Sequence, residues 1–264
     1  MRARVLCAWL AGVGLIAPVQ AQSGHGCQND QAKVQLNRGV GAFKEAEYAK
    51  AVDHFRAAFE LDAGCTLARL YLATAYMQQY IPGAEAPENK AMAAAAKEQF
   101  DKVLEQEPDN ELAMASLASL CFNQKKLDEA TTWYQKLVSV KPDNKEAFYT
   151  MGVIGWTRSY GPIGEARQKL GMKPDEPGPI KSDEVRIALR GRYLPVIEEG
   201  IGNLDKALAL DAEYDDAMAY INLLYRAKAD LEASPESYRD DITQADAWFQ
   251  KVIEIRKAKA SRKP

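Results

Sequence analysis

The fold is decided in residues 96–142, which read AKEQFDKVLEQEPDNELAMASLASLCFNQKKLDEATTWYQKLVSVKP. Within this stretch the same order of residue types returns after 34 positions: a small residue, an aromatic residue, an aliphatic residue and a proline. The paired positions are Ala96 and Ala130, Phe100 and Tyr134, Val103 and Leu137, and Pro108 and Pro142. A fixed period of this length predicts an array of helix-turn-helix repeats, in which each hairpin buries its apolar face against its neighbours.

One complete unit of this period shows why the pattern predicts two helices. Its apolar residues are spaced three and four apart, so they share one face of each helix. They are Met114, Leu117, Ala118 and Cys121 in the first helix and Ala130, Tyr134 and Leu137 in the second. Pro142 then disfavours helix in the residue before it. The side chains of Asp143 and Asn144 follow, and they are able to cap the next helix.

This arrangement resembles the tetratricopeptide repeat. The resemblance implies an all-α fold, a right-handed α-solenoid of about five helical hairpins with insertions, spanning residues 31–257. The expected units lie near residues 32–65, 66–110, 111–144, 145–214 and 215–257. The resemblance is strong over residues 96–142 and weaker around the insertions.

Insertions interrupt the period in three units. In the second unit Tyr76 and Ala96 are twenty residues apart, where a regular unit has nine, and we expect residues 80–89 to form a loop. The fifth unit carries an insertion of the same length. In the fourth unit the glycines and prolines of residues 160–182 predict no continuous regular structure, except a brief helix at residues 167–170. A second helix is expected to start after Ser182 or Asp183 and to run to about residue 210.

The chain begins with features of an export signal. Arg2 and Arg4 precede an apolar run, and small residues around Ala21 precede a cleavage site. We predict a signal peptide at residues 1–21, a leader at residues 22–30 and a bacterial protein that is periplasmic or secreted. No later segment is apolar for about 20 residues, so no membrane span is predicted in the mature chain. Residues 258–264 form a basic tail.

The composition argues against several function classes. The formal net charge of −3 becomes −5 once Arg2 and Arg4 are removed, which offers no broad attraction for nucleic acid. The two histidines, His25 and His54, lack a second ligand at metal spacing. No phosphate-binding glycine loop or nucleophile motif is present in the sequence. We therefore expect no enzyme activity, no cofactor and no metal.

Two cysteines are expected to meet at one end of the first hairpin. Cys27 lies just ahead of the first helix, and Cys65 lies just beyond the end of the second. Antiparallel packing brings both positions to the same end. The alternatives are a disulfide, which an oxidising compartment would allow, and two free thiols.

The remaining candidate site is the concave groove that the first helices of such hairpins line. The family resemblance places these groove residues at Phe43, Tyr71, Met77, Phe122, Tyr149, Trp156 and Tyr220. Some family members hold a C-terminal carboxylate with a set of basic and amide residues. This chain lacks that set, because the corresponding positions are Leu36, Val40, Tyr71 and Ala115.

An aromatic, weakly charged groove favours a partner that buries apolar groups. We predict a non-catalytic scaffold or adaptor of the cell envelope that binds another envelope protein or a peptide segment there. The alternative function is a carrier of a small apolar ligand in the same groove. In a competing interpretation, residues 161–181 fold back over the groove and make its aromatic residues part of the core.

Overall fold

A computed structural model describes residues 26–173 and 176–262. The predicted signal peptide, the first part of the predicted leader and the last two residues of the basic tail lie outside these ranges. The described residues form ten α-helices and no strand, which confirms the predicted all-α fold class. The helices are α1 (Asp30–Lys44), α2 (Tyr48–Leu61), α3 (Thr66–Gln79), α4 (Pro87–Gln106), α5 (Glu111–Asn123), α6 (Leu127–Val140), α7 (Lys145–Lys169), α8 (Asp183–Leu210), α9 (Asp215–Ala229) and α10 (Pro235–Ser261).

The helices form hairpins within two compact units. The N-terminal unit ends at Gln106 and holds α1–α4, and the C-terminal unit begins at Glu107 and holds α5–α10. Each odd-numbered helix packs against the even-numbered helix that follows it. Helices α7 and α9, which are the first helices of two successive hairpins, are also in contact. This contact brings side chains of both helices together on one surface.

The small, aromatic and aliphatic residues that repeat with the period of 34 lie in the core. They are Ala96, Phe100 and Val103 in α4, and Ala130, Tyr134 and Leu137 in α6, all buried. The asparagines after each repeat proline cap the next helix: Asn110 accepts from the backbone N–H of Ala113, and Asn144 accepts from that of Ala147, both at 2.9 Å. Each cap satisfies an N–H that has no partner inside its helix.

Helix α7 corrects one expectation from the sequence. The glycines and prolines after residue 160 predicted an irregular segment, but α7 continues through Pro162 to Lys169. Pro162 removes one helical hydrogen bond. Ile163 and Arg167 are nevertheless buried, four residues apart on one face of the helix. Packing of this face outweighs the lost bond, so the irregular structure predicted after residue 160 is wrong. Residues 167–169 are helical as predicted, but they form the end of α7 and not a separate brief helix.

The insertions of the second and fifth units lengthen the second helices instead of forming long loops. Helix α4 begins at Pro87, and α10 begins at Pro235 after Ser234, whose hydroxyl caps it. Proline suits the first turn of a helix because its missing N–H would have no helical partner there. The loop before α4 therefore ends earlier than predicted. Buried Asn89 holds that loop, since its side chain accepts from the N–H of Ile81 at 2.7 Å.

A disulfide closes one end of the N-terminal unit. It joins Cys27, ahead of α1, to Cys65, ahead of α3, with 4.4 Å between the Cα atoms. Asp62 lies beside it and accepts from the backbone N–H groups of Gln28 at 2.6 Å and Asn29 at 3.0 Å. These backbone bonds lower the pKa of the Asp62 carboxyl. The chain just before α1 is thus tied to the turn between α2 and α3 by a covalent bond and by two hydrogen bonds.

Helices α7 and α8 cross where both carry glycine. A Cβ at Gly155 would lie 3.1 Å from the Cα of Gly200 and 3.1 Å from the carbonyl oxygen of Val196. A Cβ at Gly152 would lie 2.3 Å from Cγ of Leu204, which is fully buried. The crossing therefore requires residues without a side chain at these positions.

We expect Gly152→Ala to lower the free energy of unfolding by about 1–3 kcal/mol, because the added methyl group overlaps Leu204. The matched control is Gly161→Ala in the same helix, where a Cβ meets no atom within 4 Å. That variant should be neutral or stabilised by up to about 1 kcal/mol, since alanine is the better helix former. Urea unfolding followed by circular dichroism measures both; equal effects of the two substitutions would contradict the packing argument.

Candidate partner-binding surface

Five aromatic side chains form a connected cluster on α7 and α9. Trp156 stacks on Tyr160 with 4.8 Å between ring centroids and meets Tyr220 edge-on at 5.6 Å. Tyr149 meets Tyr220 at 5.7 Å and Tyr214 at 5.0 Å. In α7 the three contributing positions are seven and four residues apart, so they share one face of the helix. We call Tyr149, Trp156, Tyr160, Tyr214 and Tyr220 the aromatic cluster.

Polar contacts fix one end of the aromatic cluster. The Tyr214 hydroxyl donates to Oε2 of Glu146 at 2.6 Å, and Lys145 donates to Asp211 at 2.6 Å. Burial, and then the Glu146 carboxylate, raises the pKa of the Tyr214 phenol. The phenol consequently stays protonated and keeps donating its hydrogen bond. The turn before α9 is thus held against the first turn of α7.

The other end of the aromatic cluster is open. Tyr149 is 9% exposed and belongs largely to the core, and Trp156 and Tyr220 are half-buried. Tyr160 is 59% exposed. Exposure therefore increases along α7 from Tyr149 to Tyr160, so a partner would contact the Trp156 and Tyr160 rings first.

The acidic residues near α9 are paired within the protein. Arg256 of α10 donates to Asp215 at 2.6 Å and to Asp216 at 2.9 Å, and Lys259 also donates to Asp215. These two bases lower the pKa of the Asp215 carboxyl despite its partial burial. The carboxylates at the start of α9, next to Tyr214, are therefore neutralised by bases of α10.

The segment between α7 and α8 is anchored away from Tyr160. Arg167, near the end of α7, donates to the carbonyl of Gly178 at 3.2 Å and to the Asp230 carboxylate. Ile180 is fully buried, and its N–H donates to the carbonyl of Asp230 at 3.0 Å. The segment thus packs against the C-terminal ends of α7 and α9 and leaves Tyr160 exposed.

Three of the seven predicted groove residues meet in the aromatic cluster: Tyr149, Trp156 and Tyr220. Phe122 lies half-buried near the end of α5. Two members of the cluster were missed by the sequence reasoning. Tyr160 follows Trp156 by one helical turn and could have been found from that spacing, whereas Tyr214 lies in the turn before α9, outside the repeat positions.

The other three predicted groove residues lie in the N-terminal unit. Tyr71 is 7% exposed, packs against Phe55 with 5.5 Å between ring centroids, and belongs to the core of that unit. Phe43 and Met77 are half-buried, and Phe43 meets the ring of Tyr48 edge-on at 5.2 Å. Tyr71 therefore offers little surface to a partner.

Two kinds of site are absent from the described residues. No group of three or more histidine, cysteine, aspartate or glutamate side chains in residues 26–173 and 176–262 is placed to hold a metal ion. No helix in the same ranges combines the length and the apolar character that crossing a membrane requires.

Comparisons with known proteins agree with this architecture. A family model of the tetratricopeptide repeat matches residues 91–152. The chain is similar to the crystal structure of the MamA protein, with 14% identity, a TM-score of 0.59, and coverage of 89% of this chain and 96% of that one. It is also similar to residues 41 to the end of MamA from Desulfovibrio magneticus RS-1, with 16% identity, a TM-score of 0.57 and coverage of 87% and 97%.

A third similar structure is YrrB, described as a tetratricopeptide-repeat protein with an unusual peptide-binding site. It has 15% identity and a TM-score of 0.54, with coverage of 86% of this chain and 87% of YrrB. No curated protein sequence matches the chain. At these identities the structural likeness shows the fold.

Residues 91–152 match the tetratricopeptide repeat, and the chain has the fold of tetratricopeptide-repeat proteins. The predicted solenoid class of tetratricopeptide-like hairpins is confirmed. Proteins of this class are in general non-catalytic interaction modules.

Proposed function

We propose that this protein is a non-catalytic scaffold or adaptor that binds an apolar segment of another protein of the bacterial cell envelope. The observation that carries the proposal is the aromatic cluster, which is connected by ring contacts and open at Tyr160. Large aromatic side chains are typical of the residues that dominate binding energy in protein interfaces. The peptide-binding site named for YrrB, which has the same fold, supports this function.

The proposed location is the periplasm or the extracellular space. Two features support it: the signal-like character of residues 1–21, and the disulfide between Cys27 and Cys65, a bond that persists in oxidising compartments. The partner is accordingly sought among envelope proteins.

The alternative function, a carrier of a small apolar ligand, has less support at the aromatic cluster. Small-ligand sites are enclosed, and they bury most of the surface of the ligand. Tyr160 is 59% exposed, so this end of the cluster is open to solvent. An open row of rings suits an elongated protein segment better than a small molecule.

We expect Trp156→Ala to weaken partner binding by at least about 30-fold, as the loss of an aromatic hot spot does. Tyr160→Ala, at a more exposed position, should weaken binding without loss of helix content. Affinity capture with the tagged mature protein isolates the partner from a native envelope extract, and mass spectrometry identifies it. The dissociation constants of the purified partner for the parent protein and for each variant then measure the effect.

The matched control is Trp133→Ala in α6. Trp133 is also half-buried and has Lys136 Nζ 4.3 Å from its ring centroid, but it lies outside the aromatic cluster. Equal loss of the partner in Trp133→Ala and Trp156→Ala would contradict the assigned surface. Tight binding of a small hydrophobic probe that Trp156→Ala abolishes, with no protein partner captured, would replace the scaffold with the carrier.

A further inference from the structure

The N-terminal unit contains an open cavity of about 520 Å³ among α2, α3 and α4. This volume lies within the range of small-molecule sites in proteins, about 300–1,000 Å³. The cavity lies wholly in the N-terminal unit and includes no residue of the aromatic cluster. It is lined on α3 by Arg69, whereas the predicted groove residue Tyr71 lies about 200° further around that helix. The cavity is therefore a separate feature from the predicted groove.

Arg69 is a buried cation without a carboxylate partner. It is 8% exposed, and its guanidinium carbon lies 3.8 Å from the ring centroid of Phe59. Its Nη1 donates to Oε1 of Gln99 at 3.2 Å, but its buried Nε–H has no acceptor. Among the residues that the structure describes, its side-chain hydrogen-bond partner is the amide of Gln99, and Glu98 forms its ion pair with Lys102. Burial lowers the pKa of this guanidinium, and the more distant Glu105 and Glu98 oppose that shift only in part.

A buried charge of this kind is costly unless an acceptor compensates it. The amide oxygen of Gln99 and the face of Phe59 are weaker partners for a guanidinium than a carboxylate, which accepts two parallel N–H bonds. The side chain lines an accessible cavity, so an anion can reach the site from solvent. The cavity therefore leaves room for a ligand carboxylate beside the guanidinium.

The lining of the cavity restricts the type of anion. Arg56, Arg69 and Lys102 contribute three positive charges, and Glu60 and Glu105 contribute two negative charges. Lys102 is paired with Glu98 and Arg56 with Asp53, so Arg69 is the cation of the lining that no such ion pair neutralises. One such cation matches a single carboxylate, and Glu60 and Glu105 would repel a phosphate dianion more strongly. The walls also include apolar side chains, from Phe59, Leu72 and Tyr76. A ligand that fits has one carboxylate and an apolar body.

We propose that this cavity is a binding site for a small monocarboxylic acid with an aliphatic or aromatic body. Arg69 holds the carboxylate, Gln99 orients the guanidinium, and Phe59 and Leu72 contact the apolar part. Arg56, whose Nη2 donates to the Tyr76 hydroxyl at 2.7 Å, places a second positive charge on the same wall. The site does not depend on the proposed scaffold function.

The probe for this site is 3-phenylpropionate, and its amide is the matched uncharged control. In the oxidised mature protein we expect the acid to bind and the amide to bind at least about tenfold more weakly, as loss of charge-assisted hydrogen bonds predicts. Nuclear magnetic resonance of the arginine side chains gives the direct readout. The Nε–H signal of Arg69 should shift as the guanidinium gains an anionic partner.

Arg69→Met removes the charge while keeping an apolar stem against Phe59, and we expect at least about tenfold weaker binding of the acid. The control is Arg38→Met on α1, an exposed arginine of the same unit outside the cavity. If Arg69→Met does not fold, the Arg69 Nε–H signal of the unmodified protein shows whether the acid binds at Arg69. No shift of that signal at saturating acid, equal binding of the amide, or binding of only a longer peptide would overturn the proposal.

Discussion

Replacing Arg167 with methionine is expected to lower the free energy of unfolding of the C-terminal unit by about 3–5 kcal/mol, the usual cost of removing one partner from a buried ion pair. Arg167 is 8% exposed and binds the Asp230 carboxylate. It also donates to three backbone carbonyls between α7 and α8, those of Lys173, Glu176 and Gly178. One side chain thus connects α7 to the segment that follows it and to the end of α9.

The pH dependence of this destabilisation distinguishes the contribution of the Arg167–Asp230 ion pair from the contribution of packing. Burial raises the pKa of the Asp230 carboxyl to about 6, although Arg167 acts to lower it. An unfolded aspartate titrates near pH 3.9, so the folded protein loses stability from this group as the pH rises from about 3.9 to about 6. Without Arg167 the pKa of folded Asp230 rises further, so the protein continues to lose stability from this group above pH 6. The destabilisation of Arg167→Met should therefore be larger at pH 8 than at pH 5.

Urea unfolding at pH 5 and pH 8 measures this difference, with Arg239→Met on α10 as the exposed control. Limited proteolysis gives a local readout, because release of the segment makes the Lys181–Ser182 bond more accessible to trypsin. A destabilisation that is independent of pH, with unchanged cleavage at Lys181, would show that Arg167 contributes through packing alone.

The sequence was most informative where physical requirements repeat. The period of 34 predicted the helix pairs because alanine, aromatic and aliphatic residues recur wherever helices pack closely, and the asparagine caps followed from the same register. The prediction failed at Pro162. Local propensity there argues for a break, while burial of Ile163 and Arg167, which depends on α8 and α9, keeps the helix intact.

The candidate site was only partly accessible from the sequence, for a related reason. Trp156 and Tyr220 occupy repeat positions, so the family pattern places them on one surface. Tyr214 joins the aromatic cluster through its hydrogen bond to Glu146, a contact across 68 residues that no local pattern specifies. The cavity around Arg69 is formed by side chains from three helices, and its buried Nε–H lacks an acceptor. Both features depend on the three-dimensional structure and could not be predicted from the sequence.

The second large effect is expected from removal of the disulfide. Replacing Cys27 and Cys65 together with alanine should lower the free energy of unfolding of the N-terminal unit by about 4 kcal/mol. The bond closes a loop across a sequence separation of 38 residues, and its loss returns that chain entropy to the unfolded state. Alanine is the appropriate replacement, because both positions are buried and serine would add an unsatisfied hydroxyl.

The contribution of the disulfide to the free energy of unfolding can also be measured without a substitution. Urea unfolding of the parent protein is compared before and after reduction by a phosphine. The reductant should destabilise the parent and leave the double variant unchanged, which is the internal control. An identical unfolding midpoint for the oxidised and reduced parent would contradict the prediction. So would alkylation of both thiols in the denatured protein before any reductant is added, because it would mean that the bond does not form.

The size of this effect connects the disulfide to the proposed location. Small domains are typically stable by about 5–15 kcal/mol, so a loss of about 4 kcal/mol is a large share of the total. The reduced N-terminal unit should then open far more often and be cleaved by proteases through its open state. We therefore expect the mature chain to be degraded faster in a reducing cytosol than in the periplasm, and the double alanine variant to be degraded at similar rates in both. Equal lifetimes of the parent protein in the two compartments would remove this support for export.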